Sequence, residues 1–127
     1  MAKLAMELSA GELEAYRTGV KARDRKRQLR VDARFEQAWT VARSAASILK
    51  ARYGIDEVWI FGSLLARRRF HAGSDVDLAV WTLDDDNWLQ AIGDLQALDE
   101  EFRVDVVELA RATDSIRRAV AEEGELL

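Results

Sequence analysis

The 127-residue chain has no cysteine and no proline, and His71 is its only histidine. Without cysteine it can form no disulfide, no thiolate zinc site and no thiol nucleophile. A single histidine excludes histidine-rich metal sites and argues against a serine–histidine–aspartate triad. Any chemistry in this protein must therefore rest on carboxylates, hydroxyls, cationic side chains and the backbone.

Long apolar runs are also missing, and no segment is long enough to cross a bilayer. The first residues include acidic side chains where a signal peptide would be apolar. We therefore expect a soluble, cytoplasmic protein. Hydrophobic residues make up 49% of the chain, which is enough to build one folded domain over residues 1–127.

The net charge of −4 hides an uneven distribution of charge along the chain. Residues 1–81 hold 15 Lys and Arg against 10 Asp and Glu, whereas residues 82–127 hold 4 against 13. Eight of the cations lie between Arg17 and Arg34. Such a segment either meets nucleic acid or an acidic partner, or is simply a solvated helix face; both interpretations stay open here.

The first third of the chain has the pattern of a long helix. Ser9 and Glu12 have the spacing of a capping box, and Gly54 is placed for a left-handed C-cap. Apolar residues recur at three- and four-residue spacing from Phe35 to Leu49, while the part before about residue 30 is polar and basic. We predict one long helix, or two in series, with about residues 1–30 projecting and about residues 31–127 forming the core.

Short apolar segments and turn residues predict the rest of the fold. Strands are expected over residues 57–61, 75–81 and 103–108, the first of them central because it is apolar on both faces. A short helix capped by Ser63 should follow the first strand, and further helices should begin near Asp84 and near Thr113. This order of elements predicts a small α/β (α+β) domain.

The segment between the first two strands carries the strongest chemical signal. Asp75 and Asp77 would point to the same face of a strand, where two carboxylates repel each other unless a cation lies between them. Mg²⁺ is the cation that such oxygen ligands favour. Gly62 and Ser63 open a helix whose free N–H groups attract phosphate. Either motif alone is usually structural, but the combination predicts a nucleoside-triphosphate site, and a neighbouring strand could add Asp105.

The sequence Phe61-Gly-Ser with the later Ser-Asp-Val-Asp-Leu resembles the minimal nucleotidyltransferase (MNT) members of the DNA polymerase β-like nucleotidyltransferase superfamily. The resemblance continues through the strand with Asp105 to the C-terminal residues 116–127. It implies a polymerase β-like fold with a small mixed sheet flanked by helices, and transfer of a nucleoside monophosphate from ATP or another NTP to a hydroxyl. It further implies that nucleotide is bound by Gly62, Ser63 and Ser74, and that two Mg²⁺ ions and catalysis depend on Asp75, Asp77 and Asp105.

Residues 66–69 depart from the family pattern, because Ala-Arg-Arg-Arg stands where many members have a glycine. This departure affects the loop around the triphosphate and leaves the carboxylates unaffected. The three arginines either pair with phosphates or lie exposed on a helix, and the sequence favours neither.

Small MNT proteins resemble antitoxins that are paired with HEPN-domain ribonuclease toxins. The resemblance therefore implies a HEPN toxin as partner and transfer of AMP to one of its hydroxyl groups. One alternative is a catalytically weak MNT-fold module that neutralises its partner by occlusion. Others are transfer to a small molecule such as an antibiotic, and binding or extension of RNA.

Overall fold

A computed structural model describes residues 9–127 of the chain, so the prediction for residues 1–8 lies outside the described part. The helices are α1 (Ala10–Tyr53), α2 (Asp85–Gln96) and α3 (Asp114–Glu123). The strands are β1 (Val58–Phe61), β2 (Val76–Val80), β3 (Val104–Glu108) and β4 (Glu125–Leu126). Single turns of 3₁₀ helix cover Gly62–Leu65, Arg67–Arg69 and Leu109–Arg111.

Helix α1 is one continuous helix of 44 residues, which decides between the two predicted forms. The Ser9 hydroxyl accepts a hydrogen bond from the backbone N–H of Glu12 at 3.1 Å, and Gly54 ends the helix with φ of 66°. Both predicted caps are therefore confirmed. Although α1 is long, no helix within residues 9–127 is apolar enough to span a membrane.

The four strands form a mixed sheet in the order β3-β2-β1-β4. Strand β2 runs parallel to β3 and antiparallel to β1, and β4 pairs antiparallel with the other side of β1. The predicted central position of β1 is confirmed, as is the predicted fold class. Strand β4 was not predicted, because a pair such as Glu125-Leu126 is too short to show an alternating pattern.

The sheet lies between two helical layers. Helices α1 and α2 cover one face, against a core that includes Leu49, Ile60, Leu78 and Leu95, all fully buried. Helix α3 covers part of the other face, where Val120 packs in a smaller cluster. Side chains alternate along a strand. On β2 and on β3, the residues that alternate with the core positions therefore point to the other face, on the α3 side of the sheet.

The segment after β1 differs from the predicted single helix. It forms two 3₁₀ turns separated by Ala66, whose extended backbone (φ −146°, ψ 128°) interrupts the helix. No side chain caps the first turn, so the predicted cap by Ser63 is not formed. Segments of four and three residues are too short for an α-helix to gain from its own hydrogen bonds, since nucleation is costly.

We predict that Leu49→Ala destabilises the protein by about 2–5 kcal/mol, because it leaves a cavity where α1 packs on the sheet. Leu29→Ala is the matched control, since Leu29 lies on the same helix but is 62% exposed; it should change stability by less than about 0.5 kcal/mol. Urea unfolding followed by circular dichroism measures both. Equal losses in the two variants would contradict the division of α1 into a docked and an exposed part.

Candidate active site

Strand pairing brings two of the predicted acidic residues side by side. Asp77 of β2 is the register partner of Asp105 on the parallel strand β3, and of Phe61 at the end of β1. Neighbouring strands lie about 4.8 Å apart, so the two carboxylates leave the same face of the sheet as neighbours. Asp75 lies just before β2, two residues from Asp77. We call this edge of the sheet, where β1 ends and β2 and β3 begin, the carboxylate end.

Gly62 is held against the Asp77 carboxylate. A Cβ added at residue 62 would lie 2.6 Å from Oδ2 of Asp77, closer than real contacts allow. The backbone at Gly62 also has φ of 81°, in the left-handed region that disfavours other residues. Both facts favour glycine at this position, so the first predicted nucleotide-binding residue borders the central carboxylate.

The environment of Asp77 raises the pKa of its carboxyl group. Burial is the largest cause, followed by the negative charges of Asp105 and Asp75. Desolvation and like charges both disfavour the ionised form of a carboxyl group. The ionised Asp77 is therefore destabilising in the unliganded protein and would be relieved by a nearby cation.

Arg103 is a feature of the site that the sequence reading missed. Its Nε donates a hydrogen bond to Oδ1 of Asp105 at 3.0 Å; Arg103 directly precedes β3, two residues before Asp105. The side chains are 73% and 40% exposed. Exposed ion pairs contribute only about 0–1 kcal/mol, so this pair holds Asp105 weakly. The i, i+2 spacing of opposite charges on a strand was the signal that could have revealed it.

The three acidic residues fit a hard divalent cation by their chemistry and backbone positions. As their side chains stand, no three acidic or histidine residues within the described chain form a closed metal-binding group. In this arrangement one oxygen of Asp105 contacts the Arg103 guanidinium. A divalent ion competes easily with so exposed a pair, and carboxylate oxygens are the ligands that Mg²⁺ prefers.

The loop before β2 places Ser74 in a buried position. The Ser74 hydroxyl oxygen accepts a hydrogen bond from the backbone N–H of His71 at 2.9 Å, and its own N–H donates to the His71 carbonyl oxygen at 3.0 Å. Ser74 thus closes the turn that delivers Asp75. Ser63 is partly exposed at the start of the first 3₁₀ turn. Phosphate contacts of Ser63 and Ser74 stay predictions.

Two of the three arginines after the first 3₁₀ turn are engaged inside the chain. Arg67 pairs with Glu36 and with Asp32 of α1, the latter at 3.5 Å. Arg69 lies 3.3 Å from the carboxylate of Glu123. Arg68 is exposed. The pairing of Arg67 and Arg69 indicates that they fix the loop to its neighbours, which leaves Arg68 as the arginine available to a ligand.

An open cavity of about 390 Å³ borders Asp105 between α2 and β3. Trp88 and Ile92 supply its apolar side, and Arg103 lies at its polar side. The cavity therefore borders Asp105 at the exposed edge of the sheet, where β3 has no further strand beside it.

Comparison with known proteins relates this arrangement to a family. The family described as polymerase beta, nucleotidyltransferase matches residues 44–127. This match begins within the docked part of α1 and includes Gly62 and all three acidic residues. A search of curated proteins found no match.

Several solved structures with a similar fold are toxin–antitoxin complexes. A toxin–antitoxin with AMP-PNP aligns with a TM-score of 0.53 and 24% identity, covering 65% of this chain and 69% of that chain. A mutant of the toxin–antitoxin MntA-HpeT aligns with a TM-score of 0.54 and 21% identity, covering 67% of this chain and 70% of that chain. A tri-AMPylated Shewanella oneidensis HEPN toxin in complex with MNT antitoxin aligns with a TM-score of 0.52 and 22% identity, covering 70% of each chain.

We predict that Asp77→Asn raises the melting temperature at neutral pH, because it removes a charge whose pKa the fold raises. A raised pKa means that the folded state holds the proton more tightly, so the wild type should regain stability as pH falls through that pKa toward the ordinary value of 3.8. The difference in melting temperature between the variant and the wild type should then shrink over the same pH range. Thermal unfolding at a series of pH values measures it.

The control is Asp56→Asn, at an exposed position in the turn between α1 and β1. It should leave the melting temperature nearly unchanged at every pH. If Asp77→Asn destabilises the protein at neutral pH, the ionised Asp77 carboxylate does not destabilise the fold, and this account of its environment is wrong.

Proposed function

Because the chain belongs to the polymerase beta nucleotidyltransferase family, we propose that it is a Mg²⁺-dependent enzyme that transfers AMP from ATP to a hydroxyl group of a partner protein. The proposed partner is a HEPN-domain toxin, which this protein would neutralise as an antitoxin in the cytoplasm. We further propose that residues 1–127 form one minimal nucleotidyltransferase domain, with a projecting segment before about residue 31.

The observation that carries the proposal is the register of Asp77 with Asp105 beside Gly62. Ionised carboxylates do not stabilise the fold at this point, yet the fold keeps these two together and partly buried, next to a position that favours glycine. This costs stability in the absence of a cation. Stability lost at a specific site is typical of a functional site.

Each residue of the site has a proposed part in the reaction. Asp75, Asp77 and Asp105 would hold two Mg²⁺ ions, which supply positive charge near the transferred phosphoryl group. Gly62 and Ser63, with Ser74, would bind the phosphates. Asp105, the most accessible from the α2–β3 cavity, would accept the proton of the incoming hydroxyl. The hydroxyl oxygen then forms a bond to the α-phosphorus, and pyrophosphate leaves.

The structural neighbours support the choice of partner. They are complexes of toxins with antitoxins, one of them with a HEPN toxin that carries three AMP groups. Their identities with this chain stay below 25%, so they support the proposal through the shared fold alone.

A second candidate function has an observation in its favour. One oxygen of Asp105 is engaged by Arg103, and no closed metal-binding group forms among the described residues. A protein that had lost catalysis could neutralise its partner by occlusion alone. The raised pKa of Asp77 argues for the enzyme, because a purely occluding protein has no need of this cost.

The test compares wild type with Asp75→Asn/Asp77→Asn, each tagged and purified from its native host with the proteins bound to it. We predict that intact-mass spectrometry finds a bound partner with added AMP only in the wild-type preparation. Purified protein should then transfer label from α-labelled ATP to that partner when Mg²⁺ is present, and EDTA should abolish the transfer. The variant should lose more than about 100-fold in rate, since it removes two metal ligands.

Asp84→Asn/Asp86→Asn is a matched control, with the same spacing and the same change of charge on exposed residues before and in the first turn of α2. It should transfer AMP at the wild-type rate. A partner that binds to wild type and variant alike but carries no AMP would contradict the enzyme and establish occlusion. Absence of any bound partner would contradict the proposed partner while leaving nucleotide transfer to be measured with small acceptors.

A further inference from the structure

The N-terminal half of α1 extends beyond the carboxylate end of the sheet. Around residues 34–39 the helix contacts that end: Trp39 Nε1 donates to the Leu64 carbonyl oxygen at 3.1 Å, and Phe35 packs edge-on against Phe70. At its C-terminus α1 contacts α2, where the Tyr53 hydroxyl donates to Asp94 at 2.6 Å. Residues 10–30, which we call the arm, therefore continue past the carboxylates for about 30 Å at 1.5 Å per residue.

The arm packs against nothing in the described chain. All of its residues are exposed except Leu13 and Val20, which are partly exposed, and none belongs to either hydrophobic cluster. It also lies outside residues 44–127, the part of the chain that matches the nucleotidyltransferase family. The arm is thus an addition to the family's core, and the reaction proposed above gives it no role.

Helix geometry shows which face of the arm turns toward the carboxylate end. Five turns of α-helix contain 18 residues, so residues 18 apart lie directly above one another. Arg23 and Arg27 stand above Val41 and Ala45, which are buried against the sheet. Arg30 likewise lies on the same side of α1 as the partly buried Ile48, 18 residues before it. The core-facing stripe of α1 therefore continues along the arm as a mainly polar stripe, which we call the inner face. It carries these three arginines and also Asp24, which lies 18 residues before the buried Ala42.

The inner face meets the core at a cavity of about 440 Å³. It is lined by Arg27, Arg30, Val31, Arg34 and Ala72, the last of these in the loop that leads to Asp75. A group bound in this corner lies between the arm and the loop before the carboxylates.

The cations of the arm are almost all without partners. Within the described residues only Arg27 has an ion pair, with Asp24 at 3.8 Å on the exposed surface. No ion pair or hydrogen bond forms at the other cations, which are Arg17, Lys21, Arg23, Arg25, Lys26 and Arg30. Unpaired cations on one segment favour an acidic partner and speed its association.

We propose that the inner face of the arm is a docking surface for an acidic segment of the acceptor protein, which it holds over the carboxylate end. The inference rests on the proposed function. Apolar side chains among the cations favour a protein over a nucleic acid: Leu13 and Val20 share the inner face, and Tyr16 beside them is 60% exposed. Such a mixture of arginine, tyrosine and aliphatic residues is typical of protein interfaces.

The test uses the full chain with two labelled probes of equal formal charge, a glutamate-rich helical peptide and a single-stranded RNA. Arg27→Gln/Arg30→Gln removes two inner-face cations, and Arg25→Gln/Lys26→Gln removes two cations from the opposite face, above the exposed Arg43 and Ser44. Glutamine preserves helix propensity, and circular dichroism checks that helix content is unchanged. Fluorescence anisotropy at several salt concentrations measures binding.

The expected result is that the wild type binds the peptide more tightly than the RNA, that the inner-face variant weakens peptide binding about tenfold, and that the opposite-face variant weakens it less than about twofold. Tighter binding of RNA, equal losses in the two variants, or no binding of the peptide would each overturn the proposal. Thermal stabilisation by Mg-ATP should be equal in all three proteins. Its absence from all three would refute the proposed function separately, whatever the peptide result.

Discussion

Repulsion between carboxylates at one edge of the sheet is the constraint on which the rest of this structure depends. The register of β1, β2 and β3 places Asp77 against Gly62 on one side and beside Asp105 on the other, with Asp75 close by. Burial and these charges raise the pKa of Asp77. The hydrophobic core holds the strands in this register. Packing on the opposite face of the same sheet therefore offsets the unfavourable free energy of the charges.

Helix α1 serves both the core and the surface beyond it. Its C-terminal half supplies the alanine-rich stripe on which the sheet packs, and small residues such as Ala42 and Ala45 allow a close approach. Its N-terminal half keeps the same helical phase, but the stripe there is mainly polar, with Arg23, Asp24 and Arg27 where the C-terminal half has apolar residues. One rigid element thus fixes the position of the arm relative to the carboxylates, and a partner bound along the arm would be oriented without any further hinge.

Much of the fold was predictable because the sequence carries strong local signals. The caps at Ser9 and Gly54 and the central position of β1 followed from residue types and periodicity. The parallel pairing that sets Asp105 beside Asp77 is a property of the whole sheet and could be predicted only as a possibility. The Arg103 contact with Asp105, the interruption at Ala66 and strand β4 depend on tertiary geometry or on segments too short to have a pattern.

The central claim is that divalent cations bind among the carboxylates at this edge of the sheet. Mn²⁺ replaces Mg²⁺ in oxygen-ligand sites and broadens the NMR signals of nearby nuclei, so titration of the ¹⁵N-labelled chain with Mn²⁺ and a non-hydrolysable ATP analogue tests it most directly. The account predicts that the amide signals of Gly62, Asp77 and Asp105 broaden first. Broadening that begins instead at exposed acidic residues such as Asp84 to Asp86, with the signal of Gly62 unchanged, would contradict it.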